Sequence, residues 1–115
     1  MTEIERLTDI VIRFRDERDW KQFHNPKDAA LSLMLEAAEV LEHFQWKNPK
    51  EIEEYVAVHK ADISEELADV MYFVFLMSHD MGIDLADAFV KKMQKNAEHY
   101  PVHKAKGKHV KYDKL

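Results

Sequence analysis

The sequence predicts an all-α protein, a four-helix antiparallel bundle followed by an irregular basic C-terminal tail. Three observations carry this expectation. Of 115 residues, 46% are hydrophobic and 34% charged, with only two glycines, a balance that suits helical globular domains rather than disordered or turn-rich β chains. Asn25-Pro26 and Asn48-Pro49 each set a good N-cap residue directly before a proline at the first helical position. No alternating β-branched run occurs anywhere in the chain, so strand signals are missing.

The elements follow in order. Residues 3–22 carry apolar side chains at Ile4, Leu7, Ile10, Val11 and Phe14, the stripe of a peripheral amphipathic helix. Residues 26–45 are apolar nearly all the way round from Ala29 to Phe44, broken mainly by Ser32, Glu36, Glu39, Glu42 and His43, which predicts a central helix with few faces in water. Residues 49–81 form a third helix, expected to break between His59 and Asp62, where apolar residues thin out. Its stretch Leu67 to Met77 is apolar apart from Asp69 and the Tyr72 hydroxyl. Gly82 suits a C-terminal cap, Asp84 an N-cap for residues 84–99, and Pro101 a stop. This length supports one domain, residues 1–100, with residues 101–115 as the tail.

Composition narrows the function classes. The chain has no cysteine, which excludes disulfides and thiol chemistry. With no apolar leader behind a basic start, it points to the cytoplasm. The longest apolar run, Val70 to Met77, is eight residues, far short of the ~20 of a membrane helix. The net charge of −5 is unevenly spread: residues 1–90 hold 9 basic and 20 acidic side chains, whereas residues 91–115 hold 8 lysines against Glu98 and Asp113. A lysine-rich tail of this kind can bind nucleic acid, close over a polyphosphate, or keep a terminus solvated.

The chemistry is concentrated in paired acids. Glu36 and Glu39 are three residues apart, as are Glu66 and Asp69, so each pair shares one helical face. An ionised carboxylate on an apolar helix costs several kcal/mol to desolvate unless it is paired or metal-bound. If the two helices pack side by side, the four carboxylates can converge in the groove between them. Such an oxygen-only set suits Mg²⁺, Mn²⁺ or Ca²⁺. The alternative is that all four lie on solvated stripes. A di-iron bundle would want histidine three residues after a glutamate on two helices, and neither pair has it. Ser78, His79 and Asp80 are adjacent on a helix, point ~100° apart, and cannot make a catalytic triad. The histidines show no zinc-ligand spacing, His59 reads as surface, and no phosphate-binding glycine loop is present.

These residues carry a resemblance. Glu36-Ala-Ala-Glu39 followed by Glu65-Glu-Leu-Ala-Asp69 resembles the paired acidic motifs of MazG-like pyrophosphohydrolases. The segments Glu17 to Pro26, Phe44 to Lys47, Lys92 to Asn96 with Tyr100-Pro101, and Lys111-Tyr112 look like the dCTP pyrophosphatase branch of that superfamily. The resemblance spans nearly the whole chain. It implies the all-α NTP pyrophosphatase fold and hydrolysis of a nucleoside triphosphate between the α and β phosphorus atoms. It further implies Mg²⁺, with Mn²⁺ as a possible substitute, on Glu36, Glu39, Glu66 and Asp69. Either Glu36 or Glu39 would be the general base.

For substrate contacts, Lys92, Asn96 and Tyr100 repeat every four residues on one helix face. The family pattern assigns them to phosphate and sugar, with Lys111 and Tyr112 folding over from the tail. Trp20, His24, Trp46 and Phe73 are the candidate base contacts, with the base expected between the second and third helices near Trp46. The dCTP branch often presents a tyrosine where Phe73 stands and a polar residue where Val11 stands.

Helices apolar nearly all round cannot be covered within a monomer of this size, which predicts a homo-oligomer. The resemblance implies a tetramer built as a dimer of dimers, with no membrane or nucleic-acid partner. The competing readings are a non-enzymatic helical module that binds a protein or nucleic acid, and a non-catalytic metal-binding bundle.

Overall fold

Each long helix begins where a capping side chain faces the unpaired N–H groups of its first turn. In the computed structural model, which describes residues 1–115, α1 (Glu3–Glu17) opens on a capping box. The Thr2 hydroxyl accepts from the Glu5 N–H, and the Glu5 carboxylate accepts from the Thr2 N–H. Helix α2 (Pro26–Glu42) is capped by Asn25, whose side chain accepts from the Asp28 N–H. Helix α3 (Pro49–Asp80) repeats the capping box with Asn48 and Glu51. Asp84 caps α4 (Leu85–His99). All three predicted proline- or acid-marked starts are therefore where the sequence puts them. The chain is all-helical, with no strand.

Residues Met1–Gly82 and Ile83–Leu115 form two units. In the first, α3 is the central helix and packs against both α2 and α1. Val11, Ala29, Phe75 and Leu76 are its buried apolar core, with Arg15 and Ser78 buried beside them. Helix α3 deviates from helical geometry at His59 (φ −111°, ψ 24°), inside the interval where the sequence predicts a break. It ends on Gly82, whose φ of +67° lies in the left-handed region that glycine enters without a Cβ clash.

Three expectations need correction. The first helix ends at Glu17 rather than near residue 22, because Asp19 takes the left-handed conformation (φ 53°) and closes a Schellman motif. The Trp20 N–H reaches the Arg15 carbonyl and the Asp19 N–H reaches that of Asp16. A 3-10 turn over Lys21–Phe23 then fills the gap before α2.

The second correction concerns α2, which is not submerged. Only Ala29 is buried on it, while Leu31, Met34, Leu35 and Leu41 are all more than half exposed. Within one chain α2 packs chiefly on α3, and a single neighbour covers one side of a helix that is apolar all round.

The third correction concerns the tail, which has structure. It holds a short helix, α5 (Val102–Ala105), and a 3-10 turn over Tyr112–Lys114. Inside the second unit the Tyr112 ring stacks on His99 at 4.3 Å between centroids and meets Tyr100 edge-on at 6.1 Å.

No helix is long and apolar enough to cross a membrane.

Candidate metal centre and adjoining cleft

The i, i+3 spacing of Glu36 and Glu39 on α2 sets both carboxylates toward α3, which carries Asp69. Oxygens of Glu36, Glu39 and Asp69 all lie within 4.8 Å of one another. No basic side chain offsets these three. Glu36 Oε2 is shut off from solvent and has no hydrogen-bond partner. Burial, then the neighbouring Glu39 carboxyl, then the charges of Asp69 and Glu66, push the Glu36 carboxyl above the ordinary glutamate range.

A buried oxygen without a partner among like charges is unfavourable for an isolated carboxylate and suitable for a cation ligand. The donors are all carboxylate oxygens, the chemistry of a hard divalent ion. The residues therefore fit a divalent metal.

Glu66, the fourth expected ligand, is turned differently. Its Oε2 lies against His43 Nε2, in a contact buried on both sides, while its charge still acts on Glu36. The structure thus brings three of the four acids together and engages the fourth with a histidine. Sequence reasoning missed His43 as a site residue. The available signal was its position four residues after Glu39, on the same face of α2.

Asp69 also lines a cleft of about 430 Å³ with Ile10, Val11, Phe14, Trp20, His24, Tyr72 and Phe73, a size within the usual ~300–1,000 Å³ of small-molecule sites. Three of the four candidate base contacts, Trp20, His24 and Phe73, meet here. Phe14 holds Trp20 edge-on at 5.6 Å and Tyr72 edge-on at 6.0 Å. His24 Nδ1 is buried without a partner, an unused polar group in an apolar wall. A second cleft of about 390 Å³ shares His24 and runs along Asn25, Leu76 and Asp80.

Trp46 is elsewhere. It sits with φ 69° in the turn after α2, is 91% exposed, and lines neither cleft. The cleft beside Asp69 is walled by α1, the Trp20 turn and α3, not by the α2–α3 turn where the base was expected. In the second unit, Lys92 is exposed on α4, the Asn96 amide reaches Met93 Sδ at 3.7 Å, and Tyr100 meets Tyr112, with Lys111 next in sequence.

Comparison with known proteins agrees with this geometry. The model of the MazG-like family matches residues 31–115. The chain is 35% identical over 114 residues to dCTP pyrophosphatase 1 of Mus musculus, covering 97% of this chain and 67% of that protein. It is 34% identical to the Homo sapiens protein of the same name, with the same coverage. Among solved structures, a pyrophosphatase from Archaeoglobus fulgidus superimposes with a TM-score of 0.83 at 37% identity, over 88% of this chain and 94% of that one. A helical chain with an uncompensated carboxylate cluster, matched along most of its length by this family and these relatives, belongs to the MazG-like family and is a nucleoside triphosphate pyrophosphohydrolase.

Proposed function

We propose that the enzyme is Mg²⁺-dependent and converts dCTP or a modified pyrimidine triphosphate, with water, to the nucleoside monophosphate and pyrophosphate. The observation that carries this reading is the sharing of Asp69 between the carboxylate cluster and the aromatic cleft, which supports a nucleobase site beside a polyphosphate site. The names of the relatives at about 35% identity support dCTP as the first substrate to test.

Glu36, Glu39, Glu66 and Asp69 would hold the cation. When bound, Mg²⁺ neutralises phosphate charge and polarises the phosphoryl group. The protein's own contribution is to place the base against Trp20 and Phe73 and to keep a carboxylate near the attacking water. Glu36 or Glu39 takes a proton from that water as its oxygen bonds to the α phosphorus. The bond from the α phosphorus to the bridging oxygen breaks, and pyrophosphate leaves. Lys92, Asn96, Tyr100, Lys111 and Tyr112 are assigned to phosphate and sugar, with the tail acting as a cover for the active site.

The half-exposed apolar residues of α2, with Phe89, Val90 and Met93 on α4, support a homo-oligomer, which we propose to be a dimer of dimers. Trp46 would stack on a base only in such an assembly.

Pyrophosphate release, measured for each common nucleoside and deoxynucleoside triphosphate with and without Mg²⁺, tests the activity. Release from dCTP that requires Mg²⁺ is expected. No release from any triphosphate overturns the reading, and release equal across all bases overturns its pyrimidine part.

A further inference from the structure

The metal reading leaves unexplained why Glu66 is engaged by a histidine. His43 Nε2 meets Glu66 Oε2, and on the other side of the ring His43 Nδ1 lies 2.5 Å from the Tyr55 hydroxyl. The network assigns the protons. An ionised carboxylate only accepts, so the ring form that suits this contact carries a hydrogen at Nε2, and neither atom has another partner. The phenol then donates to Nδ1 of the neutral ring or accepts from it when the ring is protonated. In both forms Nε2–H faces Glu66, so the contact does not depend on the charge of the ring.

Tyr55 is itself held on both faces. The Lys47 ammonium sits 4.3 Å from the ring centroid, and the His59 ring stacks on Tyr55 at 4.0 Å with 14° between planes. Lys47 Nζ also donates to the His43 carbonyl at 2.7 Å. The His59 kink in α3 is thus where a ring folds back on the residue four before it, and His59 Nδ1 meets the Tyr55 carbonyl at 3.2 Å. A chain of packed and hydrogen-bonded groups runs from the α3 kink through Tyr55 and His43 to Glu66.

We propose that His43, oriented by Tyr55, is a positioning residue for Glu66, taking up Oε2 so that Oε1 is the one oxygen this carboxylate can offer to a cation beside Glu36, Glu39 and Asp69. Partners that orient a metal-ligating group commonly change metal affinity by about 10- to 100-fold when removed. The inference rests on the metal reading above.

The test is Mn²⁺ binding to the nucleotide-free protein, read from the electron paramagnetic resonance of the free ion. His43→Leu, which removes the donor, should weaken Mn²⁺ at least about tenfold. His43→Gln, which keeps an N–H donor, should recover most of that loss, and Tyr55→Phe should give a smaller weakening. Circular dichroism identifies any variant that fails to fold, in which case His43→Gln and Tyr55→Phe decide the matter. The inference is overturned if these variants bind Mn²⁺ within twofold of wild type while Asp69→Asn has lost it, or if a folded His43→Gln is as weak as His43→Leu. Mn²⁺ binding undiminished by Asp69→Asn or Glu36→Gln removes the metal reading itself, and this inference with it.

Discussion

Two corners of the first unit both hold acidic side chains and behave in opposite ways. At the end of α3, Asp80 receives a 2.6 Å hydrogen bond from Arg15, a side chain only 1% exposed, which also contacts Asp16 at 3.3 Å. Burial raises the affinity of Asp80 for a proton, but the hydrogen bonds from Arg15 and His79 and their charges outweigh it, and its carboxyl titrates below the ordinary aspartate range. About three turns earlier on the same helix, Asp69 faces Glu36 and Glu39 with no basic partner, and Glu36 moves the other way. The protein supplies the countercharge in one corner and leaves it out in the other. Like charges gathered without a countercharge are where an external ion or substrate can contribute binding energy.

Removing charge should therefore have opposite effects in the two places. The largest expected change is in turnover: Glu39→Gln or Asp69→Asn should abolish it while leaving metal-free melting temperature equal to wild type or higher, because like-charge repulsion is relieved. Steady-state kinetics and calorimetry on the same samples check both halves, and wild-type turnover in either variant ends the site assignment.

Next in size is Asp80→Asn, which leaves the buried Arg15 charge with only its 3.3 Å contact to Asp16 and should destabilise the fold in urea at neutral pH by less than the ~3–5 kcal/mol of a fully stranded charge. The sign with pH follows from the lowered carboxyl. The stabilisation is present above the ordinary aspartate value of 3.8 and is lost as pH falls through the lower folded value. The gap between wild type and Asp80→Asn should thus close below about pH 3.8, and a gap that widens there would show that the pair is not its origin.

The smallest effect sharpens the role of the cleft that shares Asp69. Trp20→Ala should raise KM for all triphosphates together by roughly one to two decades if the stack is worth ~1–3 kcal/mol. Phe73→Tyr should instead shift the ratio of kcat/KM between cytosine and other bases, since a hydroxyl at a base edge discriminates where stacking does not. Unchanged KM in Trp20→Ala would make that ring a structural wall.

What was legible in the sequence was what depends on neighbours along the chain. Asn25, Asn48 and Asp84 cap their helices because the groups they satisfy are two or three residues away, and Gly82 ends α3 for a similarly local reason. The i, i+3 acids were legible on the same ground. The Asp19 turn was not, because aspartate reaches the left-handed region only where the following chain makes it useful, here through Trp20 and Arg15. His43 with Glu66 and Arg15 with Asp80 were hidden because they join residues far apart in sequence, and periodicity does not say which side chain of a face meets which across a helix pair. Periodicity marks α2 as apolar nearly all round but does not say how much of that surface its own chain covers, and within one chain Leu31, Met34, Leu35 and Leu41 stay more than half exposed.

The positions of the two tryptophans give the protein a built-in spectroscopic readout. Trp20 lies against Phe14 in the cleft wall, whereas Trp46 stands in solvent at 91% exposure. With no other tryptophan in the chain, iodide quenching is weighted toward the surface turn after α2, while Trp20, 41% exposed, contributes the less accessible part from the cleft wall. A nucleotide entering the cleft acts on the Trp20 component, and a second copy covering the turn protects that of Trp46. The unmodified chain thus carries one native reporter at the cleft and another at the surface turn, without an attached dye.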